Sequence, residues 1–261
     1  MNILFVGDIF GNPGRQAIKK LLPQVRRDHE VDLVVANCEN SAGGKGVTEK
    51  IANELFGAGC DMLTGGNHIF AQRESYDFLD RDERIVRPIN YPPGAPGRGS
   101  VVHISAAGVP VGIVNACGRS FMGHHYDDPF RALDAEVEAL SRQATVILLD
   151  FHAETTSEKV AMGWFLDGRV TAVLGTHTHI PTADERLLHR GTAYITDVGM
   201  TGPYDSVIGD DKHIILESIL TQRPTRFEVA PANEVSLNAV LIGVNPDKGN
   251  ATSIKRVRVH M

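Results

Sequence analysis

The sequence is poor in cysteine and has no excess of positive charge. Its three cysteines, Cys38, Cys60 and Cys117, are an odd set without CxxC spacing. A disulfide framework or a zinc knuckle is therefore not expected. A reducing compartment is expected. The net charge of −6 disfavours a broad nucleic-acid surface, because proteins that track phosphates usually carry a basic excess. A stable nucleic-acid partner is not expected, whereas a small phosphate-bearing ligand is still allowed.

Long apolar runs, targeting signals and repeats are also missing. No apolar run approaches the roughly 20 residues that span a bilayer, and residues 1–8 lack the basic lead of a signal peptide. No membrane partner is expected, and the predicted location is the cytoplasm. Without a linker or low-complexity segment, residues 1–261 are predicted to form one domain. The sequence leaves the oligomeric state open, a homo-oligomer included.

Known phosphate-binding loops are absent as well. The glycines after the first predicted strand lack a Gly-Lys-Ser/Thr sequence, and Gly7, Gly11 and Gly14 do not match the dinucleotide spacing. Residues 11–14 are interpreted as a turn, followed by a helix over residues 15–30. Two hairpins are predicted, one joining residues 100–105 to 111–116 and one around Gly191. Residues 227–229, 235–244 and 254–259 are interpreted as edge or outer strands.

The sequence does contain short apolar runs that are each followed by residues able to bind metals. The runs at residues 3–6, 32–36, 60–64, 145–150 and 170–175 predict buried strands. They precede, in that order, Asp8; Glu39 and Asn40; Asn67 and His68; His152; and His177 and His179. In open α/β sheets, ligand sites lie where the carboxyl ends of neighbouring strands converge. The recurrence at five strand ends predicts one shared site.

These residues supply only oxygen and imidazole donors. Such donors suit a pair of divalent metals such as Mn²⁺, Fe²⁺ or Zn²⁺ rather than a thiolate site. Each residue alone has a plainer explanation, since Asp8 could cap a helix and Asn40 could bind its own loop backbone. A lone histidine behind a strand is most often a satisfied polar residue. Agreement between the strand ends favours the metal interpretation, with Glu39 as the natural bridge.

At these residues the sequence resembles the calcineurin-like metallophosphoesterases. Their pattern is Asp-x-His, Gly-Asp, Gly-Asn-His, a lone His and Gly-His-x-His. Here it stands as Gly7-Asp8, Glu39-Asn40, Gly66-Asn67-His68, His152 and Gly175-Thr176-His177-Thr178-His179. Phe10 replaces the first-motif histidine, Glu39 the bridging aspartate, and Ile69 the acid that often follows Asn-His. With the stretch Asp197-Val198-Gly199-Met200-Thr201-Gly202, these departures look like the YmdB-like bacterial branch.

The resemblance implies an α/β sandwich of two mixed β-sheets flanked by helices, with two divalent metal ions at the strand ends. The metals expected are Fe or Mn, with Zn as an alternative. One ion would be held by Asp8, Glu39, Asn40 and His179, and the other by Glu39, Asn67, His152 and His177. Because Phe10 removes one ligand of the first ion, Asn40 is the proposed replacement.

The function implied is hydrolysis of phosphodiesters, cyclic nucleotides such as 2′,3′-cyclic AMP included, by a hydroxide that bridges the two metals. The substrate partner is then a small nucleotide. His68 is the predicted catalytic residue beside the phosphate, and Arg119 is a weaker candidate for binding phosphate bidentately. Two alternatives are a phosphomonoesterase acting on a nucleotide or phosphoprotein, and a regulatory RNA- or protein-binding module with structural metals.

Overall fold

Strands and helices alternate along the chain in the computed structural model, which describes residues 1–261. The strands are β1 (Asn2–Val6), β2 (Asp8–Ile9), β3 (Leu33–Asn37), β4 (Met62–Thr64), β5 (Ile85–Val86), β6 (Ser100–Ile104), β7 (Pro110–Cys117), β8 (Val146–His152), β9 (Ala172–Thr176), β10 (Arg186–Leu187), β11 (Ala193–Ile195), β12 (Met200–Pro203), β13 (Val235–Val244) and β14 (Ala251–His260). The helices are α1 (Gly11–Asp28), α2 (Glu49–Gly57), α3 (Tyr76–Arg81, after a 3₁₀ turn at Arg73–Ser75), α4 (Pro129–Ser141), α5 (Thr156–Leu166) and α6 (Lys212–Thr221).

The strands form two mixed sheets. The eight-stranded sheet has the order β2-β12-β13-β1-β3-β4-β5, with β14 paired to β13. Its strands β1, β3, β4 and β5 are parallel, and β13 runs antiparallel to β1. The six-stranded sheet has the order β10-β11-β9-β8-β7-β6 and is parallel from β11 to β7. The predicted α/β sandwich of two mixed sheets is confirmed.

Three apolar layers hold the sheets and helices together. The middle layer joins the two sheets through residues such as Phe5 and Val35 on one side and Leu148 and Leu174 on the other. The outer layers pack α1 and α2 on the first sheet, and α4 and α5 on the second. The central strands are buried on both faces, so their sequences are continuous apolar runs rather than alternating ones. This burial explains why the runs were readable in the sequence.

Helix α1 begins earlier than predicted. Residues 11–14, interpreted as a turn, form its first turn, and Gly11 adopts a φ of +56°. A Cβ on Gly14 would lie 2.4 Å from the carbonyl oxygen of Thr201, so glycine is needed there for close packing of the helix on β12. These glycines serve helix packing, and Pro13 is tolerated because the first-turn N–H groups have no helical acceptor.

The prediction of outer strands in the C-terminal part was wrong for β13. This strand pairs with β1, β12 and β14, and nearly all of its residues are buried. Leu237, Ala239 and Leu241 face the α1 layer, while Val240 and Ile242 face the middle layer. Residues 227–229 also form no strand beyond a single bridge at Val229. The two hairpins are confirmed as β6–β7 and β10–β11.

The two ends of the chain meet in one sheet. Asn2–Val6 pairs antiparallel with the segment 239–243, and the middle layer is shared by both sheets. We therefore propose that residues 1–261 fold as one domain. None of the helices combines the length and the apolar character needed to cross a bilayer.

Candidate metal centre

The predicted site residues lie at the carboxyl ends of strands from both sheets. Asp8 begins β2 directly after β1, and His152 ends β8. The others lie in turns after β3, β4 and β9 and are, in that order, Glu39 and Asn40, Asn67 and His68, and His177 and His179. Since β1, β3 and β4 are parallel in one sheet, β8 and β9 are parallel in the other, and the sheets pack face to face, these turns meet at one edge.

His152 Nε2 lies at the centre of one group of potential ligand atoms. Asn67 Oδ1 is 2.9 Å away, Glu39 Oε1 3.0 Å and His177 Nδ1 3.0 Å. A single proton on this nitrogen serves only one of three acceptors well, whereas a divalent cation binds all four atoms. Ligand atoms of Glu39, His152 and His177 lie within 4.8 Å of one another. This group is a candidate metal site.

Asp8 contributes a second carboxylate to the same cluster. It is fully buried, and its Oδ2 accepts a hydrogen bond of 3.2 Å from the His177 N–H. Its Oδ1 has no hydrogen-bond partner and lies 3.9 Å from His179 Nε2. A buried, unpartnered carboxylate oxygen is costly unless a cation balances it. The residues present therefore fit a bound cation.

Asn40 lies between Glu39 and His179. Its Nδ2 is 3.0 Å from His179 Nε2 and donates a 3.2 Å hydrogen bond to Glu39 Oε1. As a metal ligand it would present its oxygen instead, which requires only a half-turn of the amide. Phe10, which stands where the family has a histidine, packs edge-to-face on His179 at a centroid distance of 5.4 Å. An apolar ring thus occupies the position of the ligand that the metallophosphoesterase pattern would supply.

Burial and mutual charge set the protonation of the cluster. Burial lowers the pKa of His152, but the charge of Glu39 and the hydrogen bond to it raise that pKa to about 9. Burial raises the pKa of Glu39, but the charge of His152 and the same hydrogen bond hold it at about 2. Burial and the charge of His152 lower the pKa of His177 to about 3. Positive charge is thus favoured beside Glu39, and the neutral His177 ring keeps the lone pair of its one unprotonated nitrogen.

The cluster opens into a cleft of about 670 Å³. Glu39, Asn40, His68, His177 and His179 line it. Asp8, Asn67 and His152 do not line it; Asp8 and His152 are fully buried, and Asn67 is half-buried. The cleft also includes Lys45, Arg226 and Phe227, none of which was predicted to be a site residue. All three lie outside helices and strands, Phe227 in the stretch 227–229 that was interpreted as a strand, so no local pattern places them at the site.

A family model described as YmdB-like protein matches residues 4–257 of the chain. The chain belongs to the YmdB-like family. It is 43% identical over 260 residues to the 2′,3′-cyclic-nucleotide 2′-phosphodiesterase of Bacillus subtilis, with 100% of this chain and 97% of that protein covered.

Two solved structures are similar to the chain over its whole length. A hypothetical protein from Thermus thermophilus has a TM-score of 0.92 and 42% identity, with 100% of this chain and 99% of that chain covered. A protein described as a novel phosphatase from Mycoplasma pneumoniae has a TM-score of 0.93 and 34% identity, with 100% and 93% covered. Phe10, Glu39 and Ile69 differ from the general metallophosphoesterase pattern, and these differences predict the YmdB-like branch. The family match confirms this prediction.

Each histidine of this YmdB-like cluster is oriented through its second ring nitrogen. The partners are Thr176 Oγ1 for His152 Nδ1 (2.9 Å), the Ile208 carbonyl oxygen for His179 Nδ1 (2.7 Å) and Glu154 Oε2 for His177 Nε2 (3.0 Å). When the ring is neutral, as a metal ligand must be, such a bond fixes the tautomer and leaves the lone pair of the other nitrogen facing the cluster. The arrangement is the one expected around a metal.

Asp150 supports the cluster from below, a role that the sequence analysis missed. It is buried, and burial raises its pKa to about 6. It accepts hydrogen bonds from Thr176 Oγ1 (2.6 Å), Thr64 Oγ1 (2.5 Å) and Asn37 Nδ2 (2.9 Å). Because the Thr176 hydroxyl donates to Asp150, its oxygen accepts from His152 Nδ1. Asp150 is the last residue of a predicted strand, and its sequence position alone does not indicate a role at the site.

The loop that carries His177 and His179 is strained and is held from the interior. Both histidines have positive φ angles, 97° and 67°. Between them, the Thr178 N–H and hydroxyl donate to Asp197 Oδ2 at 3.1 and 2.8 Å. Lys159 Nζ donates to the same oxygen at 2.6 Å and to the Thr176 carbonyl at 2.7 Å. Non-glycine residues keep such backbone angles only where their surroundings fix them.

The structure does not bring Arg119 to the cleft. Its guanidinium pairs with Asp128 at 3.3 Å, and its backbone N–H donates to Glu158. The contact with Glu158 ties this loop to α5, and the contact with Asp128 ties it to the start of α4. Arg119 is therefore not retained as a phosphate-binding residue.

Proposed function

We propose that the protein is a phosphodiesterase that hydrolyses 2′,3′-cyclic nucleotides with the help of two divalent metal ions. The observation that carries this proposal is the convergence of Asp8, Glu39 and three histidines in one cluster that opens into a cleft, with one oxygen of Asp8 unpartnered. The substrate class follows from the full-length similarity to the 2′,3′-cyclic-nucleotide 2′-phosphodiesterase. The expected location is the cytoplasm.

We assign the ligands in two groups that share Glu39. The first group is Asp8, Glu39, Asn40 and His179, and the second is Glu39, Asn67, His152 and His177. The oxygen and imidazole donors suit Fe or Mn, with Zn as an alternative. When bound, the two ions would supply Lewis-acid activation of water and charge to hold the phosphate. Asp8 and Glu39 contribute the negative charge that attracts the ions.

His68 is assigned to the departing oxygen of the substrate. Its backbone N–H donates to Glu39 Oε2 at 2.8 Å, which fixes the residue beside the cluster. Burial lowers the pKa of its imidazole, so the ring is neutral at pH 7 and offers one N–H donor. A neutral donor hydrogen-bonds a developing oxyanion as charge builds on it. Ile69 is buried and apolar, so no acid from that position orients the ring.

Phosphomonoester hydrolysis is the second candidate, because the Mycoplasma pneumoniae relative is described as a phosphatase. The test compares 2′,3′-cyclic AMP and bis(p-nitrophenyl) phosphate with p-nitrophenyl phosphate, after Mn²⁺ or Fe²⁺ is added to the purified protein. Faster turnover of both diesters is expected. Faster monoester turnover would contradict the first choice.

Glu39→Gln tests whether catalysis depends on the shared carboxylate. Turnover should be abolished while circular dichroism shows a folded protein. Glu138→Gln, on the exposed side of α4 and paired only with Arg142, is the matched control and should keep full turnover. Full turnover by Glu39→Gln would contradict the assignment. If hydrolysis is lost and the cellular effect persists, the binding-module alternative gains support.

A further inference from the structure

Two apolar side chains stand exposed in an otherwise polar cleft. Phe227 is 53% exposed and Ile208 48% exposed, and both line the cleft that contains His68 and His179. Phe227 contacts no other aromatic ring closely enough to form a stacked or edge-to-face pair. Exposed apolar surface within a concave polar site is typical of a place where an apolar part of a ligand binds.

The backbone holds this apolar pair in a fixed relation to the metal cluster. The Asp211 N–H donates to the Glu228 carbonyl at 2.8 Å, and the Ala230 N–H donates to the Gly209 carbonyl at 2.9 Å. These bonds tie the segment of Phe227 to the loop of Ile208. The Ile208 carbonyl in turn accepts the hydrogen bond from His179 Nδ1 at 2.7 Å. A group resting on Phe227 would therefore be placed at a defined distance from the reacting phosphate.

Two cations line the same cleft without forming an ion pair. Lys45 and Arg226 both border it, and neither side chain forms an ion pair or a hydrogen bond within the chain. Of the carboxylates in the cleft, Glu39 and Glu154 contact histidines of the cluster. Asp210 lies close enough to Lys45 for the lysine charge to lower its pKa, although burial raises that pKa overall and no ion pair forms. Unpaired cations beside a candidate phosphate site favour an anionic ligand and lower its cost of approaching the acidic cluster.

We propose that Phe227 and Ile208 form a nucleobase subsite, with Lys45 and Arg226 binding the phosphate of the same nucleotide. This inference rests on the proposed function and specifies how its substrate is held. A planar base is the apolar group that a nucleotide offers, and it stacks on an aromatic face irrespective of sequence. Because neither Phe227 nor Ile208 has a side-chain hydrogen-bonding group, these two residues would select for a base without distinguishing one base from another.

The first test compares a substrate with a base to one without. Adenosine 2′,3′-cyclic phosphate and glycerol 1,2-cyclic phosphate are hydrolysed by the Mn²⁺-loaded wild type and by Phe227→Ala. Loss of stacking should raise KM for the nucleotide by roughly 5–150-fold, the range known for base–aromatic stacking. The ratio of the two kcat/KM values should fall accordingly, and Phe227→Tyr should restore it. Equal losses for both substrates, or no loss, would overturn the inference.

Phe121→Ala is the matched control. Phe121 is 89% exposed, more than Phe227, and does not line the cleft. The substitution should leave both KM values unchanged. A change equal to that of Phe227→Ala would mean that exposed aromatics act through general surface effects, and it would also overturn the inference.

A binding measurement separates this inference from the proposed function. Calorimetry measures adenosine 3′-monophosphate and inorganic phosphate binding to the Mn²⁺-loaded protein. Phe227→Ala should weaken nucleotide binding by the same roughly 5–150-fold and phosphate binding much less. Lys45→Ala should weaken the binding of both. If the wild type hydrolyses neither cyclic phosphate, the proposed function fails, yet this binding pattern would still support the subsite. Equal nucleotide affinity of wild type and Phe227→Ala would overturn it.

Discussion

Lys159 and Asp197 form an ion pair of 2.6 Å inside the protein, with both side chains 1% exposed. Asp197 also accepts the backbone and hydroxyl hydrogen bonds of Thr178, and Lys159 donates to the Thr176 carbonyl. The pair therefore fixes the two residues that alternate with His177 and His179. The ion pair connects the interior of α5 to the geometry of the candidate metal centre.

Removal of the lysine charge should destabilise the protein. In Lys159→Met the Asp197 carboxylate stays buried without its cation, and breaking a buried pair in this way costs about 3–5 kcal/mol. Urea unfolding monitored by circular dichroism measures the loss. The double variant Lys159→Met/Asp197→Asn should recover part of it, because the uncompensated charge is removed. A loss below about 1 kcal/mol in the single variant would contradict a structural role for the pair.

Glu154→Gln should weaken metal binding without unfolding the protein. The carboxylate accepts from His177 Nε2 at 3.0 Å and directs the other ring nitrogen into the cluster. Mutation of a residue that hydrogen-bonds a metal-binding histidine in this way typically lowers metal affinity by about 10–100-fold. Titration calorimetry with Mn²⁺ measures the change, and Glu138→Gln is again the control. Because the glutamine oxygen can still accept from His177 Nε2, unaltered Mn²⁺ affinity would show that metal binding does not need the charge of Glu154.

Gly66→Ala should disable the site through lack of space. A Cβ there would lie 2.2 Å from Glu39 Oε2 and 2.6 Å from His152 Nε2. Displacement of about 1 Å at a catalytic constellation can cost roughly 100-fold in rate. We expect a fall of that size in diesterase turnover. Gly57→Ala in α2 is the control, because its Cβ meets nothing within 4 Å. Normal turnover by Gly66→Ala would contradict the packing around Glu39.

Asp184→Asn should destabilise the protein at neutral pH and less in acid. Burial raises the pKa of Asp184, but hydrogen bonds from Thr182 and Thr196 lower it below its ordinary value of 3.8. With the folded pKa below the unfolded one, the stabilisation is fully present above pH 3.8 and is lost as pH falls through the folded pKa. The variant should lose roughly 1–3 kcal/mol at pH 7.

Urea unfolding of Asp184→Asn at pH 7 and pH 3 measures this difference. The difference in free energy of unfolding between wild type and variant should be smaller at pH 3 than at pH 7. Asp247→Asn is the control, because the Asp247 side chain makes no hydrogen bond or ion pair. Its free energy of unfolding should stay close to that of the wild type at both pH values. A gap that widens in acid would contradict the sign derived for Asp184.

The strand ends were readable in the sequence because both faces of each central strand are buried. Apolar runs such as residues 3–6 end close to the first polar residue, here Asp8, and parallel strands bring those ends to one edge. The fold class and the residues gathered at the cleft followed from that rule together with the family resemblance. Their roles as metal ligands are predictions for metal titration and mutagenesis.

The second layer of the site could not be predicted in the same way. Lys159 lies within a helix and Asp150 at the end of a strand, and each resembles an ordinary member of its element. Glu154 follows a predicted ligand, yet nothing in its spacing shows that it faces His177. The side-chain directions that make them supports are set by packing between distant elements, which local sequence patterns do not report.

The sequence by itself determined the α/β class, the YmdB-like family and the donor types at the strand ends, because these depend on local hydrophobicity, motif spacing and residue chemistry. Only the tertiary structure decided that β13 is central, that Arg119 lies outside the cleft and that Phe227 and Lys45 lie within it. These outcomes depend on contacts between segments far apart in the chain. His177 and His179 combine both, since their spacing was evident in the sequence and their positive φ angles are held by Lys159 and Asp197.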